Sequence, residues 1–516
     1  MHKKLVQLSI ILTSLFCSVS FAADEISSVK QTNILWIIAE DMSPDFPMYG
    51  VKGLSTPNID KLAQQGMRFD NVYMTAPICS TARSSFMTGM YQTTIYAHHH
   101  RTNTKFKKML PEGVDVLTNW FHDAGFYTSN LQDLTGKGKQ EKFLKGTGKT
   151  DWNFKYTPKT KGTGKVTGFD GSDFADLKTN QPFFAQVNFS ETHRGSNWLN
   201  SYKHIDNPAN PEDIELPPYH QDTKIVREQW ANYYNSIMAL DKKVGYVLDK
   251  LEREGLADNT IVIFFSDHGR AMLRGKQFLY EAGLKVPLLV RLPKGYKAPP
   301  GFEVGGSSER LLEGIDISAT TLQLAGINIP ENMQGQTFLP ATQPEREYVF
   351  AARARADETV EYIRSAGNKN FRYIKNYMPE RPYAQLNRYV AMQYPELREM
   401  HRLKAAGKLN AAQLQFMADS KPEEELYDIV ADPHQINNLA YNPEYAKQLK
   451  QLRSALGSWE NSTLDPQRAN PTGDAPQLYL KRAQRNDAKI RELLKSEGMD
   501  YDVLLQKEQQ HIERLK

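Results

Sequence analysis

The chain has 516 residues, 40% of them hydrophobic and 24% charged, with a net charge of +4. Those fractions are ordinary for a folded protein and exclude global disorder, and +4 is too slight to identify a partner. Two cysteines, Cys17 and Cys79, exclude a disulfide framework.

The elements follow in chain order. Lys3 and Lys4 precede an apolar stretch over 5–19 that ends in Ser20-Phe21-Ala22, the pattern of a cleaved export signal over residues 1–22. That stretch is too short for a spanning helix, and no later one approaches the required length. A soluble periplasmic or secreted protein is expected, with no membrane partner and with Cys79 as its lone thiol.

Residues 33–39 form an apolar run that ends in Glu40-Asp41, which predicts a buried parallel strand. Over 57–69, Ile59, Leu62, Ala63 and Met67 recur at helical spacing, with Pro57 suited to the first turn. Lys137, Lys139, Lys142, Lys145, Lys149, Lys155, Lys159, Lys161 and Lys165 crowd a Gly- and Thr-rich region. A solvated insertion is the plainer reading, and a basic rim that draws in an anionic polymer the sharper one. Nucleic acid is not expected, because no recognised binding motif accompanies these lysines.

Residues 182–189 and 260–265 read as two more buried strands. Between them a long helix is predicted over 224–254, with Ile237, Leu240, Val244, Val247, Leu248 and Leu251 on one face. Residues 287–292 add a strand. This alternation predicts an α/β fold with helices on both sides of the sheet. Beyond about residue 344, short strands over 348–352, 360–365 and 371–377 predict a smaller antiparallel sheet. The organisation expected is a catalytic α/β domain over 23–345, an α+β subdomain over 346–475 and a charged helical tail over 476–516. An exposed helix is expected in that tail, although Leu493, Leu494, Leu504 and Leu505 offer apolar surface.

In an open α/β sheet, sites form at the carboxyl ends of the strands. Two predicted strands end there in Glu40-Asp41 and in Asp267-His268-Gly269. Each pair alone reads as a cap or salt bridge. Together, three carboxylates and an imidazole suit a hard cation, Ca²⁺ ahead of Mg²⁺.

The segment Ala76-Pro77-Ile78-Cys79-Ser80-Thr81-Ala82-Arg83-Ser84-Ser85-Phe86-Met87-Thr88-Gly89 resembles the signature of the type I sulfatases, in the alkaline phosphatase-like superfamily. The resemblance continues through Glu40-Asp41, where Asp-Asp is commoner, and through Lys149 in Gly148-Lys149-Thr150-Asp151. It also covers His193 in Ser190-Glu191-Thr192-His193, Asp267-His268-Gly269, and Lys276 in Gly275-Lys276-Gln277-Phe278-Leu279-Tyr280-Glu281. A closing motif resembles Glu425-Leu426-Tyr427-Asp428, with Asp432-Pro433 and Asn438-Leu439-Ala440. Two departures stand out: Thr81 where the family carries Pro or Ala, and Asp151 where it carries histidine.

The resemblance implies an alkaline phosphatase-like α/β/α sandwich with a smaller C-terminal antiparallel sheet plus helix. It implies that a maturation enzyme oxidises Cys79 to formylglycine (3-oxoalanine), whose hydrate attacks sulfur and then collapses to expel sulfate. Glu40, Asp41, Asp267, His268 and the modified Cys79 would hold the ion. Arg83 would orient the hydrate, Lys149 and Lys276 would grip sulfate oxygens, and His193 would protonate the leaving alcohol. Cation and lysines answer the chemistry, since a sulfate ester's own oxygens repel an anionic nucleophile.

The activity expected is hydrolysis of sulfate esters on a sulfated polysaccharide or its oligosaccharides. The alternatives are an N-sulfoglucosamine sulfohydrolase, a phosphonate or phosphodiester hydrolase of the same superfamily, and a non-catalytic sulfated-glycan-binding protein. His98-His99-His100-Arg101 fits substrate contact better than a metal site, since adjacent side chains diverge. Arg101, Arg353 and Arg355 are candidates for gripping sulfate or carboxylate.

Overall fold

Side-chain alternation along the central strands decides the architecture. In β1 (Asn33–Ala39), Leu35, Ile37 and Ala39 enter one core, and Ile34, Trp36 and Ile38 enter another. β5 (Phe183–Phe189) and β6 (Thr260–Ser266) divide in the same way. Strands that are apolar on both faces need cover on both, and helices supply it. The helix Lys224–Arg253 lays Trp230, Ile237, Leu240, Val244 and Val247 into the first core. The helices Cys79–Thr88 and Gly314–Leu324 contribute Phe86, Met87, Ile317 and Leu322 to the second.

This computed structural model describes residues 31–135, 142–160, 162, 168–466, 487–496 and 500–514. The expected export signal and Lys137, Lys139, Lys161 and Lys165 lie outside the described residues. The remaining strands of the large sheet are β2 (Met67–Tyr73), β3 (Tyr127–Asp133), β4 (Gly171–Asp173), β7 (Leu288–Arg291) and β8 (Ser307–Glu313). Their order is β4-β3-β5-β1-β6-β7-β2-β8, parallel except for β7, which runs against both neighbours. Ala39 pairs with Phe189 on one side and Ser266 on the other, so three strands end level. The residues that follow them emerge together at one edge.

The helix expected over 57–69 ends at Gln65, and Met67 opens β2 instead. Gly66 marks the break: a Cβ there would stand 2.3 Å from the Val290 carbonyl oxygen. The second sheet has four antiparallel strands, β9 (Val349–Arg353), β10 (Ile363–Gly367), β11 (Phe371–Asn376) and β12 (Glu424–Asp428). The helix Ala446–Ser462 covers it with Leu449, Leu452, Leu456 and Trp459.

The tail is not the exposed helix expected. Its helices Asp487–Ser496 and Tyr501–Arg514 bury Ile490, Leu494, Tyr501 and Leu505 against Val360, Tyr362, Met378 and Leu386. One apolar stripe suffices for burial even where most residues are polar. Among the described residues, no helix is long and apolar enough to cross a membrane.

Candidate active site

The turn after β1 leads into the site. Asp41 adopts a left-handed backbone (φ 52°), and its N–H donates to Asp267 Oδ1 at 3.0 Å. The next N–H, of Met42, reaches Ser266 Oγ at 3.0 Å. These bonds tie the two strand ends into one floor. The Cys79–Thr88 helix then brings Cys79 to it as the first helical residue, after Ile78. All ten helix residues are buried although half are Ser or Thr. Their hydroxyls bond back to carbonyls: Thr81 to Ile78 at 2.8 Å, Ser84 to Ser80 at 2.6 Å, and Thr88 to Ser84 at 2.8 Å.

Asp41, Cys79, Asp267 and His268 are all buried, and their ligand atoms lie within 4.8 Å of one another. Cys79 Sγ stands 3.2 Å from His268 Nε2 and 3.6 Å from Asp41 Oδ1. Lys276 Nζ bridges the same pair, 2.6 Å from Asp41 Oδ2 and 3.5 Å from the sulfur. Arg83, one turn along the helix, donates from Nε to Asp267 Oδ2 (3.0 Å) and from Nη1 to Asn188 Oδ1 (2.6 Å). Glu40 stands apart from the four-residue group. Its carboxylate takes Lys149 at 2.8 Å and lies 3.9 Å from Arg83 Nη2.

The floor stabilises positive charge. Burial pushes the Asp41 carboxyl upward, yet Lys276, His193 and His268 hold it well below the ordinary carboxylate range. Burial pulls His268 down, but Asp267, Asp41 and the Cys79 sulfur outweigh it and raise the imidazole to about 10. The carboxylates of Asp41 and Asp267 converge on one buried point and would supply oxygens to a hard cation. Cys79 is the only free cysteine among the described residues, and it is buried.

The rim has the opposite character. A cleft of about 400 Å³ opens above the floor, walled in part by Ile78, His100, Arg101, His193, Lys276 and Arg388. His193 is half-buried, with Nδ1 3.0 Å from the Arg194 carbonyl and its ring 5.9 Å from that of Tyr389. Burial, with Lys276 adding to it, depresses its pKa although Asp41 pulls the other way. Arg194 fastens the rim by a paired contact with Glu396 at 2.6 and 3.0 Å and a bond to the Gln393 carbonyl at 2.6 Å.

Of the arginines singled out in the sequence, Arg101 reaches the cleft wall. Arg353 and Arg355 are buried, and Arg355 instead supports the His100 segment through its bond to the His100 carbonyl at 3.1 Å. The wall also contains Asp357, Glu358, Arg388 and Tyr389, which no motif had indicated. They come from the loop after β9 and a six-residue helix, Arg388–Gln393. Asn188, the partner of Arg83, sits within a largely apolar strand, and only its polarity, shared there with Gln186, marked it.

A family profile described as Sulfatase matches residues 32–327. An ulvan-active sulfatase of Formosa agariphila is 33% identical over 487 residues, covering 85% of this chain and 76% of that protein. Human N-sulphoglucosamine sulphohydrolase is 26% identical over 487 residues, covering 86% and 93%. A solved structure in complex with its substrate D-glucosamine-2-N,6-O-disulfate shares the fold at TM-score 0.54 and 17% identity, covering 86% of this chain and 100% of that one. So does a phosphonate monoester hydrolase from Silicibacter pomeroyi, at TM-score 0.56 and 17% identity, covering 84% and 96%. The profile match and the 33% relative place the chain in the sulfatase family of the alkaline phosphatase-like superfamily, as a sulfuric ester hydrolase.

Proposed function

We propose that this sulfatase is an exported enzyme that removes sulfate esters from a sulfated polysaccharide or its oligosaccharides. In this reading Cys79 is converted to formylglycine by a maturation enzyme, and one Ca²⁺ is held by Asp41, Asp267 and His268, with Glu40 and the modified Cys79 beside them. The observation that carries it is the convergence of Cys79, Asp41, Asp267 and His268 under a cleft that Lys276 shares. The naming of an ulvan-active sulfatase at 33% identity supports a polymeric sulfated substrate.

The cation would supply positive charge beside the nucleophile, and formylglycine a hydrated aldehyde in place of a thiol that attacks sulfur poorly. The chain's own residues do the rest. Arg83 fixes Asp267 and Asn188 under the nucleophile helix and offsets acidic charge there. Lys276 and Lys149, now balanced by Asp41 and Glu40, turn their ammonium groups to the sulfate oxygens. His193 spends Nδ1–H on the Arg194 carbonyl, which leaves Nε2 to hand a proton to the departing alcohol. Its depressed pKa means that the free enzyme holds it neutral, and the bound anion favours its protonation.

The test is sulfate release from ulvan and from O-sulfated and N-sulfated glycosaminoglycan oligosaccharides, with phosphonate and phosphodiester esters in parallel. Turnover confined to O-sulfated glycans supports the proposal. Release from N-sulfated sugars alone moves the assignment to N–S cleavage, and glycan binding without any turnover moves it to a binding protein.

A further inference from the structure

The fold separates the three adjacent histidines. His98 and His99 pack against each other at a tilt with centroids 4.2 Å apart, and His99 Nδ1 accepts the Arg355 N–H at 3.3 Å. Of the three, only His100 lines the cleft, beside Lys276 and His193. Its backbone is pinned by a bond from its N–H to the Arg355 carbonyl at 2.9 Å. Its ring is held by the residue that follows the nucleophile.

Ser80 Oγ accepts the Arg101 N–H at 2.9 Å and also stands 2.9 Å from His100 Nδ1. Ser80 is only 1% exposed, so its single hydroxyl proton needs a partner inside the protein. Nδ1 is the acceptor at hand. Ser80 therefore donates to Nδ1, and the ring proton of a neutral His100 resides on Nε2. That nitrogen faces the wall residue Asp357, 3.8 Å from Oδ1. Burial first, then Arg101, Lys276, Arg355 and Lys149, hold the imidazole neutral. His100 thus offers the cleft an oriented N–H without charge, within the field of both lysines.

We propose that His100 Nε2–H donates a hydrogen bond to an oxygen of the bound sulfate group, as a third contact beside Lys149 and Lys276. The proposal rests on the sulfatase centre described above. A Gln at this position can place its amide N–H₂ near the Nε2 position, whereas Ala cannot.

The test titrates inorganic sulfate against the wild-type protein and the variants His100→Ala, His100→Gln and Lys276→Ala, following thermal shift. Aryl-sulfate turnover is measured in parallel. His100→Ala is expected to weaken sulfate binding about 10-fold and to lower kcat/KM by about 10²–10³, the range for loss of one preorganised donor. His100→Gln should restore both to within a few-fold. If His100→Ala binds sulfate like the wild type while Lys276→Ala does not, the His100 contact is wrong and the centre stands. If no variant changes sulfate binding, or the wild type shows none, the centre itself falls. Equal failure of His100→Ala and His100→Gln, with equal loss of thermal stability, overturns the contact in favour of a packing role.

Discussion

Two histidines in one site, His268 on the floor and His193 on the rim, are driven in opposite directions. Burial disfavours the charged form of both, but the carboxylates of Asp267 and Asp41 raise His268 to about 10, whereas burial and Lys276 depress His193. The floor is an acidic pocket that attracts positive charge. The rim, with Arg101, Lys276 and Arg388 along the cleft beside Asp357 and Glu358, keeps its imidazoles neutral. The same residue type is thus driven towards opposite charge states within one site, and the neighbouring charges decide which.

The comparison breaks most completely where the two layers meet. Cys79→Ala should abolish turnover. Lys276→Ala, which removes an ammonium group touching both Asp41 and the sulfur, should lower kcat/KM by about 10³ or more, given the worth of a charge placed at the reacting group. Steady-state kinetics on an aryl sulfate measures both.

Removing the cation attacks the floor alone. Chelation should abolish most activity and lower the Tm by several degrees, with Ca²⁺ restoring both more fully than Mg²⁺. Full activity and unchanged Tm after exhaustive chelation would separate the acidic floor from any metal role.

His193→Ala probes the rim. It should cost about 100-fold on alkyl or sugar sulfates and only a few-fold on activated aryl sulfates, because general-acid help matters most for poor leaving groups. Equal losses on both would remove the proton-transfer role.

The smallest expected effect concerns acid stability. Burial, joined by Arg364 and Arg355, depresses His98 to about 3, and burial with Lys404 depresses His401 to about 4. Between those values and about 6.5 the unfolded chain binds protons that the folded chain refuses, so stability falls as pH falls through 6.5. The Tm should therefore decline from pH 7 towards pH 4. His98→Phe, which keeps a ring against His99, should flatten that decline by a degree or two.

The floor was legible in the sequence because its residues sit at the ends of continuous apolar strands, where Glu40-Asp41 and Asp267-His268 interrupt the pattern abruptly. Cys79, Arg83, Lys149, His193 and Lys276 were found by motif, and all have a place at the floor or cleft. The rim was much less legible. Arg388 and Tyr389 lie some three hundred residues from Cys79 on a helix too short to show a period, and contacts made only in the folded chain, such as Arg194 with Glu396 and with the Gln393 carbonyl, dock that segment. His100 stood out as one of three histidines, yet nothing in the spacing said which one faces the cleft. That choice depends on Ser80 and Arg355, a contact between distant segments. The tail's leucines were noticed but its burial was not, since Leu494 and Leu505 meet their partners only in the folded chain.

The most direct test of the central claim is the mass of the tryptic peptide Phe69–Arg83, taken from protein made in its native host or with a formylglycine-generating enzyme. The account predicts loss of the Cys79 thiol in favour of an aldehyde or its hydrate. An intact, alkylatable thiol throughout native material would contradict it and leave the site as a binder of sulfated glycans.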